Sequence, residues 1–285
     1  MSEYKDGNND YYRITYYLTH DKIFKIYCEY NLYEKIDKFN FSAPEEKNEC
    51  EFTYRSDSNV IDINRECFRE YLERCDTLQF DDIIVNLSDL DNKYDNIKAL
   101  NIGSYELEMK ISFLKIPKSI EFIKMFDSII DNINYLPNKL KTLILYDQLK
   151  QNLKYLPVGM EKLDISIQDW HIKNEFDYLP SNIIYLHLFM QGINQCKIWN
   201  LSPLIIDLNI YNKKIDLYLP INILNLQCIV NNKCIENILY CKKLEKINIY
   251  KINSNLDIDA NNSLDLLLNR IKSKFENIKI FKMFI

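Results

Sequence analysis

The sequence is short of the residues from which most catalytic and cofactor sites are built. It contains 4 glycines and 3 histidines among 285 residues. The glycines are isolated, which argues against a glycine-rich loop that binds nucleotide phosphates. The histidines His20, His171 and His187 are too few and too scattered for a recognisable metal site or catalytic triad. We therefore expect no cofactor, no metal and no enzymatic activity, and an enzyme of an unrecognised type stays open as an alternative.

Cysteine spacing and charge exclude further classes of protein. None of the 8 cysteines forms a C-x₂-C pair, and Cys228 falls at an apolar position of the repeat described below. This pattern favours free thiols in a reducing compartment over disulfides or zinc. The net charge of −5 favours neither nucleic acid nor an anionic membrane as a partner. With no apolar run of membrane-spanning length, we expect a soluble cytoplasmic protein.

What the sequence has in abundance is a repeated motif. Tyr-Leu-Pro occurs four times, and each proline is followed by apolar residues three, six and eight positions later. Pro117 obeys the same offsets, whereas Pro203 stands one residue too close to its apolar residues. The first apolar residue recurs every 18 to 23 residues, at Ile97, Ile120, Leu140, Met160, Ile183, Ile205, Ile223 and Leu244. The four motifs are Tyr135–Pro137, Tyr155–Pro157, Tyr178–Pro180 and Tyr218–Pro220.

This spacing predicts an α/β solenoid. Each repeat supplies one short strand whose second and third apolar residues point inward, and stacked repeats form a parallel sheet. We expect a leucine-rich-repeat-like horseshoe, with the parallel sheet on its concave face and the repeat array at residues 76–250. Residues 1–75 are predicted to form a mixed α/β cap or an adaptor-like region. Residues 251–285 are predicted to form a C-terminal cap of one helix and a last strand.

The two flanking regions contain recognisable helices. Asn64–Cys75 places Phe68, Tyr71, Leu72 and Cys75 on one face, and Glu70 and Arg74 have the spacing of a stabilising ion pair. The fold of residues 11–60 stays open. The C-terminal helix begins at Ser263, and its apolar face consists of Leu264, Leu267, Leu268, Ile271 and Phe275. The last strand is predicted at Glu276–Ile285, with Ile278, Phe281 and Met283 as its apolar triplet.

The outward face of the strands provides the candidate binding residues. Residues between and after the inward positions point away from the core, and many of them are aromatic. A row of exposed aromatic side chains is typical of a protein-binding surface, unless loops or caps cover it. The predicted partner-binding residues are Phe122, Phe126, Tyr146, Tyr185, His187, Phe189, Tyr211 and Tyr250.

The unit Leu-Pro-x₂-[Leu/Ile]-x₂-Leu-x-[Leu/Ile] resembles the FNIP repeat, a relative of the leucine-rich repeat, over about residues 96–250. That family occurs in social amoebae and in large DNA viruses that infect amoebae. The row of aromatic side chains and the lack of catalytic residues predict a non-catalytic scaffold that binds another protein on its concave face. If the chain is viral, as the resemblance allows, we expect it in the host cytoplasm. Some members carry an F-box-like module before the repeats. The alternative function is therefore a substrate receptor of a ubiquitin ligase, which would bind a ligase subunit through residues 1–75.

Overall fold

The computed structural model separates into two units, Met1–Asp131 and Asn132–Ile285. It describes residues 12–30, 48–50, 60–63, 66–81, 84–86, 90, 93–103, 109–111, 116–126, 128–130, 135–146, 153–168, 179–191, 196–198, 201–211, 215–217, 219–229, 236–251, 266, 269–275 and 279–284.

The first unit is built on a sheet of six strands in the order β3-β1-β2-β5-β7-β9. β1 pairs antiparallel with β2 and β3, whereas β2, β5, β7 and β9 run parallel to one another. Short strands form two further parallel pairs, β4 with β6 and β8 with β10. The elements are β1 (Tyr12–Leu18), β2 (Ile23–Tyr30), β3 (Asn48–Cys50), β4 (Val60–Asp62), α1 (Glu66–Arg74), β5 (Thr77–Asp81), β6 (Ile84–Asn86), β7 (Ala99–Gly103), β8 (Met109–Ile111), β9 (Phe122–Met125) and β10 (Ser128–Ile130).

The second unit contains a fully parallel sheet in the order β11-β12-β13-β15-β17-β18-β19. The short strands β14 and β16 form a separate parallel pair. A main strand and a return segment alternate along the chain, which is the arrangement of a solenoid. The elements are β11 (Thr142–Leu145), β12 (Lys162–Gln168), β13 (Tyr185–Gln191), β14 (Cys196–Ile198), β15 (Asp207–Tyr211), β16 (Ile215–Leu217), β17 (Asn225–Ile229), β18 (Lys246–Lys251) and β19 (Lys279–Phe284), with 3-10 turns at Leu153–Tyr155 and Glu236–Tyr240.

The proline of each motif starts a tight turn that leads the chain into the strand. Its carbonyl accepts a hydrogen bond from the N–H three residues later, at 3.0 Å from Leu140 to Pro137 and 3.1 Å from Met160 to Pro157. This bond places the first apolar residue in the core at a constant offset from the proline. The constant offset explains why the repeat is visible in the sequence.

Pro203 departs from the common offset because another residue occupies the first turn position. The N–H of Ile205 bonds to the carbonyl of Ser202 at 3.2 Å, so Ser202 stands where the other repeats have proline. Ser202 is buried, and its hydroxyl donates a hydrogen bond to the carbonyl of Ser181 in the preceding repeat. Pro203 occupies the next turn position, which suits its fixed φ. The turn of this repeat therefore has the same length as the others, and only the proline is displaced by one position.

The predicted inward residues form the core. Leu145 of β11, Ile165 of β12 and Leu188 of β13 pair in register on adjacent parallel strands, and each is at most 2% exposed. The first apolar residues of all eight repeats are buried as well. One outward position differs from the prediction, since Ile144 is only 7% exposed. The outward face is thus partly covered at β11.

Helix α1 confirms the helix predicted near the N-terminus. It packs its aromatic face on β2, with the ring centroids of Phe24 and Tyr71 5.1 Å apart and nearly parallel. The predicted ion pair between Arg74 and Glu70 forms at 3.0 Å. Phe24 and Ile26 of β2 pair in parallel register with Leu78 and Phe80 of β5, as the inward residues of successive repeats do. The sheet therefore begins before the predicted boundary at residue 75.

The C-terminal strand is present, but its predicted register was wrong by one residue. Ile280 and Lys282, rather than Phe281 and Met283, pair with the inward residues Ile247 and Ile249 of β18. The sequence before β19 contains no proline motif that would fix the offset of its apolar residues. Residues 269–274 of that segment are helical and Ile271 is buried, as expected, whereas Ser263, Leu264, Leu267 and Leu268 lie outside the described residues. Within the described ranges, no helix has the length and apolar character needed to cross a membrane.

Candidate functional site

The outward face of the second unit displays exposed aromatic side chains. Tyr146, Tyr185 and Phe189 are 43%, 42% and 40% exposed, and Tyr211 is partly exposed. The ring centroids of Phe189 and Tyr211, on adjacent strands, are 5.6 Å apart with a tilt of 55°. Of the two alternatives left open by the sequence, exposed or covered rings, the structure shows exposed rings at Tyr146, Tyr185 and Phe189, and their role in partner binding stays a prediction. The side chain of Tyr250 lies outside the described residues.

Phe122 and Phe126 belong to the first unit. Both are partly exposed on β9 or just after it. The ammonium group of Lys124 lies 4.8 Å from the centroid of the Phe126 ring, which is a cation–π contact. The ring at this repeat position is therefore able to receive a positive charge.

A groove of about 440 Å³ opens on the outward face of the second unit. This volume falls within the range of small-ligand sites. Three aromatic rings line it, and three of its polar side chains, Asp164, His187 and Asn209, come from the middle outward positions of three consecutive main strands. We call it the central groove, and its lining residues are Tyr146, Asp164, Ser166, His187, Leu188, Phe189, Asn209 and Tyr211.

His187 lies between two carboxylates in the central groove. Its Nδ1 is 3.4 Å from Oδ2 of Asp164 on β12, and its Nε2 is 3.2 Å from Oδ1 of Asp207 on β15. The three side chains are 30%, 18% and 29% exposed, respectively, so water screens the charges only in part. The repeat geometry places Asp164 directly beside His187, whereas Asp207 reaches it diagonally from two residues before its register partner Asn209.

The two carboxylates control the protonation of the imidazole. Interactions with Asp164, and then with Asp207, raise the pKa of His187 to about 9. The imidazole is therefore protonated at neutral pH, and both of its N–H groups point at carboxylates. In return, His187 lowers the pKa of Asp207, and a hydrogen bond from Asn225 at 3.2 Å acts in the same direction.

Tyr146 completes this cluster on the β11 side. Its hydroxyl donates to Oδ2 of Asp164 at 3.5 Å. Burial, and then the neighbouring carboxylate, raise the pKa of Tyr146 above its usual value. The phenol thus stays protonated at neutral pH and remains a donor.

A second polar chain runs along the same column of the sheet. The Nδ2 group of Asn248 donates to Oε1 of Gln227 at 2.9 Å, and Nε2 of Gln227 donates to the hydroxyl of Tyr211. Asn209 stands between this chain and His187, and its buried Oδ1 has no hydrogen-bond partner among the described residues. The same is true of Oδ1 of Asn101 and Asn248, which do not line the groove. A buried acceptor without a partner costs about 1–3 kcal/mol, so a donor that reaches Oδ1 of Asn209 would recover that cost.

The described geometry gives His187 no role as a general base or as the activator of a nucleophile. A protonated imidazole whose two N–H groups face carboxylates cannot act as a base at neutral pH. Ser166 lines the groove, but within the described residues it makes no hydrogen bond to His187 that would activate its hydroxyl. In the part of the chain that the structure describes, no group of three histidine, cysteine, aspartate or glutamate residues is arranged to hold a metal.

The repeat spacing predicts the aromatic residues and His187 as binding residues, but it does not predict the polar side chains that surround His187. The repeat spacing places Asp164, Asp207 and Asn209 on the outward face but assigns them no role. The repeat alignment contained part of the signal, because Asp164, His187 and Asn209 occupy the same position in consecutive repeats. The function of the central groove is inferred from its own geometry, since comparisons with protein-family models, with curated proteins and with solved structures found no match to this chain.

Proposed function

We propose that this protein is a non-catalytic scaffold of the leucine-rich-repeat type that binds another protein on the outward, concave face of its sheet. The observation that carries the proposal is the exposure of Tyr146, Tyr185 and Phe189 at 40–43% on the outward face, where Tyr146 and Phe189 line the central groove. Exposed rings on a rigid sheet lose little conformational entropy on binding and are frequent hot spots in protein interfaces. We also propose that the repeats are of the FNIP type and that the solenoid curves like a horseshoe.

The flanking regions are proposed to cap the solenoid. β2 extends the parallel sheet by one more strand, and β1 closes it with an antiparallel pairing. An open end of a solenoid would expose its apolar core, so a terminal unit of different character is required. This pairing favours a capping role for residues 1–75. The alternative of a ubiquitin-ligase receptor stays a prediction that no described residue specifically supports.

The proposal can be tested with the double variant Tyr146→Ala, Phe189→Ala. Peptides selected from a random display library on the full chain should lose most of their binding to this variant. Because both rings are exposed, we expect the melting temperature to fall by no more than about 2–4 °C. The measurement pairs a peptide-binding isotherm with a thermal scan.

The matched control is Tyr135→Ala, Tyr155→Ala. These tyrosines are 46% and 47% exposed but lie in the turns before the strands, not on the outward face. The control variant should bind the selected peptides normally. Equal loss in both variants, or unfolding of the first, would contradict the proposal.

A further inference from the structure

The open hydrogen-bonding capacity of the central groove is mostly that of acceptors. Both N–H groups of His187 face carboxylates, and the hydroxyl of Tyr146 donates to Asp164. Within the described residues, the contacts of Asp164 are made by Oδ2, so Oδ1 can still accept. Oδ1 of Asn209 is buried and also accepts nothing among those residues. A molecule that supplies donors would therefore satisfy these two oxygens.

The aromatic walls favour a donor that carries positive charge. The side chains of Tyr146 and Phe189 are 43% and 40% exposed, and the ring of Tyr211 is tilted against that of Phe189. Aromatic faces attract cations, most strongly where water is partly excluded. The contact of Lys124 with the Phe126 ring is an example of this interaction on another strand of the chain.

Anionic and apolar occupants fit less well. His187 carries one positive charge, and the carboxylates of Asp164 and Asp207 carry two negative charges. The cluster therefore keeps a net negative charge, which would repel an anion. An apolar side chain would cover Asp164 and Asn209 and leave their oxygens without donors, which is costly. A guanidinium group offers five donors in a plane that stacks on rings and pairs with carboxylates. An ammonium group is more strongly hydrated and does not stack in this way.

We propose that the central groove binds a basic side chain of the partner protein, with arginine preferred over lysine. The inference rests on the proposed scaffold function and specifies the chemistry of its partner. Asp164 provides the carboxylate, Tyr146 and Phe189 provide the aromatic faces, and Asn209 provides a second acceptor. The partner is therefore a protein segment that presents arginine.

The test uses the full chain and short capped peptides. The probe is acetyl-Gly-Gly-Arg-Gly-Gly-amide, compared with peptides in which lysine, citrulline or glutamate replaces arginine. Binding is measured by NMR chemical-shift titration at low salt. Citrulline keeps the shape of arginine without its charge, so we expect it to bind about tenfold more weakly or worse. The affinity of the lysine peptide should lie between those of the arginine and citrulline peptides, and the glutamate peptide should not bind.

Variants locate the binding site. Asp164→Asn should weaken binding of the arginine peptide about tenfold, and Phe189→Leu should weaken it several-fold. The control Glu245→Gln removes an exposed carboxylate outside the groove and should change little. If Asp164→Asn does not fold, Phe189→Leu and the citrulline peptide decide the question.

The outcomes separate this inference from the scaffold function. Equal binding of the arginine and citrulline peptides would overturn the inference, as would shifts outside the groove. Binding of a neutral disaccharide such as maltose in place of the arginine peptide would also overturn it. If library-selected peptides depend on Tyr146 and Phe189 but contain no essential arginine, the scaffold function stands and this inference fails. If the arginine peptide binds in the groove while selected peptides bind elsewhere, the inference stands and the proposed interface is wrong.

Discussion

Replacing His187 with glutamine should remove a pH-dependent part of the stability of the second unit. In the folded chain, Asp164 and Asp207 raise the pKa of His187 to about 9 from its ordinary value of 6.5. A group whose pKa is raised by folding stabilises the folded state fully below its unfolded pKa. That contribution decreases as the pH rises from about 6.5 to about 9. Glutamine can still donate one hydrogen bond, but it does not titrate.

The size of the effect follows from the shift and from the exposure of the cluster. A shift of about 2.5 units corresponds to at most about 3 kcal/mol. The imidazole is 30% exposed and Asp207 is 29% exposed, so solvent screening reduces this value. We expect the stability difference between wild type and His187→Gln to shrink by about 1–2 kcal/mol between pH 6 and pH 9.5.

The assay is urea unfolding followed by tryptophan fluorescence at constant ionic strength. Both tryptophans, Trp170 and Trp199, belong to the second unit, so their fluorescence reports on that unit. Burial raises the pKa of the Cys241 thiol to about 11, which destabilises the folded state at alkaline pH. This effect is the same in wild type and variant and cancels in the difference. The pKa of Asp207 is lowered in the folded chain, so its contribution to the free energy of unfolding is lost as the pH falls into the acid range. It does not change between pH 6 and pH 9.5.

The matched control is His20→Gln. His20 is exposed in the turn between β1 and β2, and its replacement should leave the pH dependence of the second unit unchanged. A direct NMR titration of the imidazole gives an independent value for the pKa. The reasoning would be refuted by titration of His187 near 6.5, or by a wild-type–variant difference that is constant from pH 6 to pH 9.5.

Two further predictions concern the core and helix α1. Leu143→Ala should cost about 2–5 kcal/mol in urea unfolding, because Leu143 is 0% exposed, whereas the same truncation at Leu204, which is 52% exposed, should cost well under about 1 kcal/mol. Similar losses at both positions would mean that the inward and outward faces are assigned incorrectly. Asn96→Ala should cost about 1 kcal/mol and speed hydrogen exchange in the last turn of α1, since Nδ2 of Asn96 donates to the carbonyls of Leu72 and Cys75. Unchanged exchange there would show that water replaces these bonds without cost.

The C-terminal strand and the first strands show where sequence reasoning reaches its limit. The apolar spacing identified every repeat that follows a turn of constant length, from Ile97 to Leu244. It did not identify β2 as part of the sheet, because Phe24 and Ile26 are not preceded by the repeated motif. It placed the register of β19 one residue away from the observed one, because a one-residue slip is invisible where the sequence has no proline motif to set the offset.

Pattern alone determined the solenoid and its buried columns, because a repeat every 18 to 23 residues with constant offsets leaves one way to stack the strands in register. The cluster around His187 was decided only by the tertiary structure. Asp207 reaches the imidazole diagonally from the neighbouring strand, and Asp164 accepts from both Tyr146 and His187. These contacts depend on side-chain direction and partial burial across strands separated by about twenty residues, and neither quantity is encoded in the spacing of the repeat.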